Sequence, residues 1–124
     1  MPRQNGVVLM NFDGRHPLTS APDRPGLALR DRYVTRDLVV GEWSLTAAAW
    51  TDRHQHEEIN FVLEGELHVT YAGTTHVATA GSAVAVPAGE RARYEAPVFA
   101  RMMFIYGPSN DGFAASDVSY QDLR

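Results

Sequence analysis

Short runs rich in β-branched and aromatic residues make up most of this chain, and turns containing glycine or proline separate them. Turn signals stand at Gly65-Glu66, Ala72-Gly73-Thr74 and Pro87-Ala88-Gly89. No internal segment repeats its apolar residues with a helical period. The pattern predicts an all-β fold, either a sandwich or a barrel. We predict strands near residues 7–12, 29–35, 38–50, 58–63, 66–72, 75–79, 82–86, 91–95 and 98–106.

Two segments near the chain ends predict other structure. Residues 13–27 contain three prolines and two glycines and predict a long loop. The chain beyond Pro108 begins as a second loop, and Ser116 can cap a short helix over 117–123. A length of 124 residues suits one domain with its own core, so we expect residues 1–124 to form a single domain.

Charge and composition exclude several classes of protein. The formal net charge of -4 gives no basic surface for nucleic acid. No apolar run approaches the roughly 20 residues of a membrane helix, and the N-terminus lacks the apolar core of a secretory signal. The sequence has no Cys, so disulfides and thiol nucleophiles are ruled out. We therefore expect a cytoplasmic protein with no nucleic-acid partner and no membrane partner.

One stretch places a polar residue at every second position: Asp52, His54, His56, Glu58 and Asn60. Alternate side chains of a β-strand share a face, so this stretch would aim imidazoles and carboxylates in one direction. Two imidazoles and one carboxylate are the ligands of a 2-His-1-carboxylate metal site. The stretch therefore predicts where the chemistry lies, without fixing which chemistry it is.

Spacing limits which of these groups can meet. Positions i and i+2 of a strand lie roughly 7 Å apart, and positions i and i+6 lie about 20 Å apart. Asp52 and Glu58 can share a site only if the chain turns between them. We therefore predict a turn at 55–57 that carries His56, with His54 and Glu58 facing each other across a hairpin.

Alternation also assigns faces in the later strands, where a register slip of one residue would invert them. The side chains predicted to point inward are Leu67, Val69, Tyr71, Ala92 and Tyr94. Those predicted to face solvent are His68, Arg91, Arg93 and Arg101. The run 102–106 is apolar without alternation and predicts a strand that is buried on both faces.

The polar stretch resembles the first conserved motif of the cupin superfamily: His-x-His, three or four residues, Glu, six residues and Gly. Glu58 and Gly65 have the six-residue separation, and three residues separate His54 from Glu58. The first His of the family pair falls on Asp52. Most of the first motif is therefore present, with a carboxylate where an imidazole is usual.

A second cupin motif is Gly, five residues, Pro-x-Gly, two residues and His. Gly81 and Pro87-Ala88-Gly89 match it, and Ala92 occupies the position of its His. The resemblance implies a double-stranded β-helix, which is a jelly-roll barrel, and it implies a homodimer. The barrel is expected over about 38–106, with an arm at 1–37 and a tail at 107–124.

Many cupins bind a divalent metal with the His and Glu residues of both motifs. Here His54 and Glu58 keep the usual ligand types, and Asp52 can still bind a cation. Ala92 cannot bind one, but His56 can substitute. The resemblance thus implies one Fe, Mn, Ni or Zn ion on some of Asp52, His54, His56 and Glu58. The alternative is a metal-free cluster of hydrogen-bonded polar groups in an apolar barrel.

Three classes of function remain for a small-molecule pocket in this barrel. They are a metal-dependent enzyme such as a dioxygenase or isomerase, a metal-free acid–base enzyme, and a non-catalytic binding or sensor module. The candidate catalytic residues are His54, Glu58 and Tyr94, and the candidate ligand contacts are Trp50, Asp52, Asn60 and Ala92. The sequence does not decide whether the protein is an enzyme, and it does not name the ligand.

Overall fold

A computed structural model describes residues 3–4, 6–108 and 115–124. Ten strands and no helix occur in these residues. None of the described segments is a helix long and apolar enough to cross a membrane. The strands are β1 (Arg3–Gln4), β2 (Val7–Val8), β3 (Thr19–Ala21), β4 (Arg24–Val34), β5 (Val39–Arg53), β6 (Glu58–Tyr71), β7 (Thr74–Thr79), β8 (Ala83–Val86), β9 (Arg91–Tyr106) and β10 (Ser116–Asp122).

Three long strands, β5, β6 and β9, each contribute to both layers of the fold. Their first layer, sheet I, joins β4, the first half of β5, the second half of β9, the first half of β6, and β8. The other layer, sheet II, joins β10, the second half of β5, the first half of β9, the second half of β6, and β7. Register shifts between Thr46 and Ala48, and between Val62 and His68, separate the halves. The all-β jelly-roll prediction is confirmed.

The link between β5 and β6 shows that the sheets close on each other. Arg53 at the end of β5 pairs with Arg91, whereas Glu58 at the start of β6 pairs with Tyr106. Those partners are the two ends of a 16-residue strand, about 50 Å long if it were flat. Residues 54–57 can span only about 18 Å between Arg53 and Glu58. The strand system must therefore curl until its two ends meet.

This topology corrects the predicted hairpin. β9 lies between β5 and β6 and is antiparallel to both. β5 and β6 therefore run parallel to each other and do not form a hairpin. The reversal at 55–57 is present as a bend, and it crosses from one layer to the other. His54 and Glu58 do meet, because closure of the barrel brings them together.

The predicted turn at Gly65-Glu66 is also wrong, since β6 runs unbroken from Glu58 to Tyr71. Gly65 has a φ of 78° inside a bulge of that strand. A Cβ at Gly65 would collide with the backbone carbonyl of Phe99. A residue without a Cβ lets the strand bend there from sheet I into sheet II. The predicted turns at 72–74 and 87–89 are confirmed.

Both ends of the chain are more regular than the sequence predicts. The predicted helix over 117–123 is wrong, because residues 116–122 form β10 and pair with β5. The predicted loop over 13–27 is wrong in its second half, where β3 and the start of β4 lie. The loop predicted after Pro108 falls mostly on 109–114, outside the described residues. The sheets thus extend beyond residues 38–106 at both ends.

The core lies between the layers and follows the predicted alternation. Trp43 of sheet I packs edge-on against Tyr94 of sheet II, with ring centroids 5.5 Å apart. The inward assignments are confirmed for Leu67, Val69, Ala92 and Tyr94, while Tyr71 is partly buried against the core. The prediction that the run 102–106 is buried on both faces is wrong, because only Met102 and Phe104 are buried and the other three residues are partly exposed. The core residues are Leu27, Val39, Trp43, Leu45, Ala48, Val62, Leu67, Val69, Ala78, Val86, Ala92, Tyr94, Ala96, Ala100, Met102 and Phe104.

Arg101 does not face solvent as predicted. It lies on the outer face of sheet I, but the N-terminal segment covers it, and Phe12 accepts a hydrogen bond from its Nη1 at 3.2 Å. Glu42 is 1% exposed and forms ion pairs with Arg101 at 3.3 Å and with Arg32 at 3.4 Å. Glu64 completes the network at 2.8 Å from Arg101.

Alanine substitutions at two glycines distinguish the cost of a positive φ from the cost of a collision between the new Cβ and the neighbouring strand. Gly65 and Gly73 both have φ near +79°, but a Cβ at Gly73 meets nothing within 4 Å. We expect Gly73→Ala to cost about 1–2 kcal/mol of unfolding free energy and Gly65→Ala to cost clearly more. Urea unfolding of both variants measures the difference. Equal costs would show that the approach of Phe99 does not constrain the bend.

Removing one charge from the buried network should destabilise the fold. Glu42→Gln leaves Arg32 and Arg101 without their shared buried carboxylate, so we expect a loss of about 3–5 kcal/mol. Glu64, whose side chain is 54% exposed, provides the matched control. Glu64→Gln should cost at most about 1 kcal/mol. Thermal and urea unfolding measure both, and similar costs for the two variants would contradict the argument.

Candidate functional site

The polar stretch enters the barrel where β5 passes into β6. Asp52 lies near the end of β5, His54 and His56 lie in the connection, and Glu58 and Asn60 begin β6. All five side chains are buried or nearly so, although the chain leaves strand geometry at 54–57. The five side chains therefore point to one side, as predicted. The closure of the barrel causes this, not the alternation of side chains along a single strand.

His54 is held at both ring nitrogens. Its Nδ1 lies 2.7 Å from the carbonyl oxygen of His56, so Nδ1–H donates to that oxygen. Its Nε2 faces the site, 2.8 Å from Glu58 Oε2 and 4.0 Å from Asp52 Oδ1. Burial lowers the pKa of His54, but the hydrogen bond and charge of Glu58, the His56 carbonyl and the Asp52 charge outweigh it, so the pKa is raised.

His56 lies flat between two rings. It stacks on His54, with centroids 4.7 Å apart, and on Tyr106 at 4.3 Å. Burial and the neighbouring charge of His54 lower the pKa of His56, although Glu58 opposes the shift. A lowered pKa keeps this imidazole neutral near pH 7, the state in which it can donate a lone pair to a cation.

The two carboxylates have different supports. Trp50 Nε1–H donates to Asp52 Oδ2 at 3.0 Å, while Asp52 Oδ1 is buried without a hydrogen-bond partner among the described residues. Burial raises the pKa of Asp52. Glu58 instead accepts from Asn60 Nδ2 at 3.4 Å, and Asn60 Oδ1 accepts from Trp43 Nε1–H at 2.7 Å. Asn60 thus fixes Glu58 from behind.

Tyr94 closes the site from sheet II. Its hydroxyl lies 3.5 Å from His54 Nε2, and the residue is 1% exposed. Burial, the charges of Glu58 and Asp52, and a hydrogen bond to Glu58 raise the pKa of Tyr94 well above its usual value. The hydroxyl therefore stays protonated and can act as a hydrogen-bond donor.

Three of the four predicted metal ligands converge. Donor atoms of His54, His56 and Glu58 lie within 4.8 Å of one another. Metal bonds of about 2.1 Å place two ligand atoms up to about 4.2 Å apart, so a shift of a fraction of an ångström completes the set. The carbonyl of His56 holds the Nδ1–H tautomer of His54, which leaves the Nε2 lone pair for a cation, as at many metal sites. The donor set therefore fits a divalent transition metal.

A cavity of about 220 Å³ opens beside these residues. It is smaller than the roughly 300 Å³ at the lower end for drug-sized ligands, so it suits a small molecule. Most of its wall is aromatic or aliphatic, and its charged side chains are Arg24, Asp31, Asp52 and Glu58. The full lining is Arg24, Leu27, Leu29, Asp31, Trp43, Trp50, Asp52, Glu58, Tyr94, Phe104 and Tyr106.

The structure places the candidate ligand contacts in two groups. Trp50 and Asp52 line the cavity, whereas Asn60 and Ala92 are buried behind its wall. Ala92 is the cross-strand partner of Asp52, so it lies beside the site.

Other lining residues went unrecognised in the sequence. Arg24 lies in a proline-rich segment that predicts a loop, and Asp31 lies on a strand with no motif. The alternation of Leu27, Leu29 and Asp31 on β4 was the available signal for that wall.

Fold and site together define a small jelly-roll β-barrel with a candidate metal centre. The Cupin domain family profile matches residues 42–106, more than half of the chain, and the chain belongs to the cupin family.

Individual relatives are similar to parts of this chain. Acetate kinase EutQ of Salmonella typhimurium strain LT2 is 35% identical over 111 residues, which cover 86% of this chain and 44% of that protein. This chain therefore spans less than half the length of that relative.

Solved structures agree with the fold. The crystal structure of an S. typhimurium LT2 protein assigned to ethanolamine utilization, EutQ, has a TM-score of 0.62 and 28% identity, covering 68% of this chain and 71% of that chain. KdgF from Halomonas sp. has a TM-score of 0.69 and 18% identity, covering 85% of this chain and 97% of that chain. The likeness to KdgF supports the fold alone.

Proposed function

We propose that this protein is a small-molecule-binding cupin that holds one divalent metal ion with His54, His56 and Glu58. The convergence of their donor atoms within 4.8 Å carries the proposal. Two imidazoles and a carboxylate suit Fe, Mn, Ni or Zn, and three protein ligands leave positions open for a ligand. The cavity beside Glu58 is the place from which a small molecule would reach the site.

The residues around the site have distinct roles in this proposal. A bound metal would act as a Lewis acid that polarises an oxygen of the small molecule. Asn60 and the His56 carbonyl orient Glu58 and His54. Tyr94 presents a protonated hydroxyl to the same space, where it hydrogen-bonds to Glu58 and its oxygen can accept a hydrogen bond from the small molecule.

A metal-free acid–base site is the second candidate. The 2.8 Å contact between His54 Nε2 and Glu58 favours it, since it pairs an imidazolium with a carboxylate. His54 would then hold or release the proton at Nε2, and Tyr94 would be its neighbouring donor at 3.5 Å.

The similarity to EutQ supports a shared cupin part only. Because this chain covers 44% of the S. typhimurium relative, the kinase activity in that protein's name is not part of the proposal. A role of this chain in ethanolamine utilization would follow only if its small molecule belongs to that process. The homodimer and the cytoplasmic location stay predictions from the sequence.

Metal content distinguishes the two candidates. We expect near-stoichiometric Fe, Mn, Ni or Zn in protein purified without a His-tag or chelator, and its loss in His54→Ala and in Glu58→Gln. Elemental analysis measures it, and circular dichroism confirms that the variants fold. His68→Ala is the control, because His68 lies away from the site. Its Nε2 is 3.0 Å from Glu66 Oε1. Wild-type protein that stays metal-free after added metal would favour the acid–base candidate.

Restoring the family imidazoles should strengthen metal binding. Asp52 and Ala92 are direct cross-strand partners, and Asp52 Oδ1 already lies 4.0 Å from His54 Nε2. We expect the double substitution Asp52→His and Ala92→His to raise the affinity for Zn²⁺ or Mn²⁺ in a competition titration. The control pair, Thr51→His and Arg93→His, lies one register position away on the same strands and has the opposite phase. Equal affinities for both double variants would contradict the placement.

A further inference from the structure

We propose that Arg24 recognises a carboxylate group on the small molecule, which makes the ligand a small carboxylic acid with an apolar or aromatic body. This inference rests on the proposed small-molecule function and names the class of ligand. It depends on Arg24 lining the cavity, on the contacts that hold its guanidinium there, and on the positions of the other charged groups of the wall.

The guanidinium of Arg24 is held at the cavity by its contact with the indole ring of Trp50. Its guanidinium carbon lies 4.8 Å from the centroid of the Trp50 ring, and Trp50 Nε1–H donates to Asp52 at 3.0 Å. Stacking occupies a face of the planar guanidinium and leaves its N–H edges available. Those edges match the two oxygens of a carboxylate, which they can bind in a bidentate manner.

The protein itself uses little of this binding capacity. The ion pair of Arg24 within the described residues is with its neighbour Asp23, at 3.8 Å, and the two side chains are 40% and 76% exposed. An exposed pair of this kind contributes little and yields readily to a better partner. Some other arginines have firmer partners, such as Arg93 with Glu95 at 2.7 Å.

The carboxylates of the cavity favour one orientation of such a ligand. At the inner end Glu58 is paired with His54, and Asp52 accepts a hydrogen bond from Trp50 through Oδ2, while its Oδ1 has no hydrogen-bond partner among the described residues. Both carboxylates would repel an acid group placed at that end. Asp31 is exposed and lies on β4 at the far end from Arg24. Its charge repels a carboxylate, so the acid group of a ligand is directed toward Arg24.

The remaining wall selects the body of the ligand. Leu27 and Leu29 share the cavity-facing side of β4, and Trp43, Phe104 and Trp50 supply aromatic surface. A volume of about 220 Å³ is that of about seven waters in the liquid, at roughly 30 Å³ each. A body of about the size of a single ring or a short alkyl chain would fill this volume.

Two acids and their uncharged and cationic analogues test the recognition. Isothermal titration calorimetry on the full chain compares benzoate with benzamide and benzylamine, and hexanoate with hexanamide and hexylamine. We expect each acid to bind more tightly than its amide and its amine. Arg24→Met keeps an unbranched stem over Trp50 but removes the charge, and should weaken acid binding roughly ten- to a hundredfold. Arg24→Lys should retain only part of the affinity, because a lysine lacks the bidentate edge.

Arg36→Met is the matched control, since Arg36 is exposed and pairs only weakly with Asp37 at 3.7 Å. It should leave acid binding unchanged. Acids that bind no better than their amides, amines that bind best, or Arg24→Met that binds acids like wild type would each overturn the proposal. Metal content is read separately in Arg24→Met and is expected to equal that of wild type. Failure of metal binding with acid recognition intact would thus count against the metal centre alone.

Discussion

Closure of the barrel around β9 is the constraint on which the site depends. β9 pairs with both β5 and β6, yet residues 54–57 join those strands directly. Only a sheet curled through bulges such as that at Gly65 satisfies both conditions. The curl brings the end of β5 against the start of β6, so groups that a flat strand would hold about 20 Å apart share one pocket.

Polar groups inside such a barrel must find partners, and here they form two short chains of hydrogen bonds. One runs from Trp43 through Asn60 to Glu58, and Glu58 contacts His54. The other runs from Trp50 to Asp52. In each chain an indole N–H fixes an acceptor, so the aromatic residues that wall the cavity also orient its polar atoms. The cavity shape and the geometry of the donors are therefore set by the same residues.

Features that depend on local residue spacing could be predicted from the sequence, whereas features that depend on contacts between distant residues could not. Alternation correctly placed Ala92 and Tyr94 inside, and the spacing of His54 and Glu58 predicted that they meet. In the sequence, the glycine at 65 is compatible with either a turn or a β-bulge. The close approach of the Phe99 backbone, which only the folded structure shows, accounts for the bulge. Pairing with β5 overrides the cap signal at Ser116. Arg101 has the outward phase that was predicted, but the segment that covers it is invisible to periodicity.

The two departures from the family motifs occur at one point in space. Asp52 and Ala92 are cross-strand partners, so the β5–β9 side of the site lacks both of its usual imidazoles. His56 adds one on the opposite side, within the connection that also carries His54. The candidate metal ligands therefore lie within residues 54–58. Trp50 lies on the side left without imidazoles, the Arg24 guanidinium carbon lies 4.8 Å from the centroid of its ring, and both residues line the cavity. The acid recognition that we propose would therefore use the side of the site from which the usual imidazoles are missing.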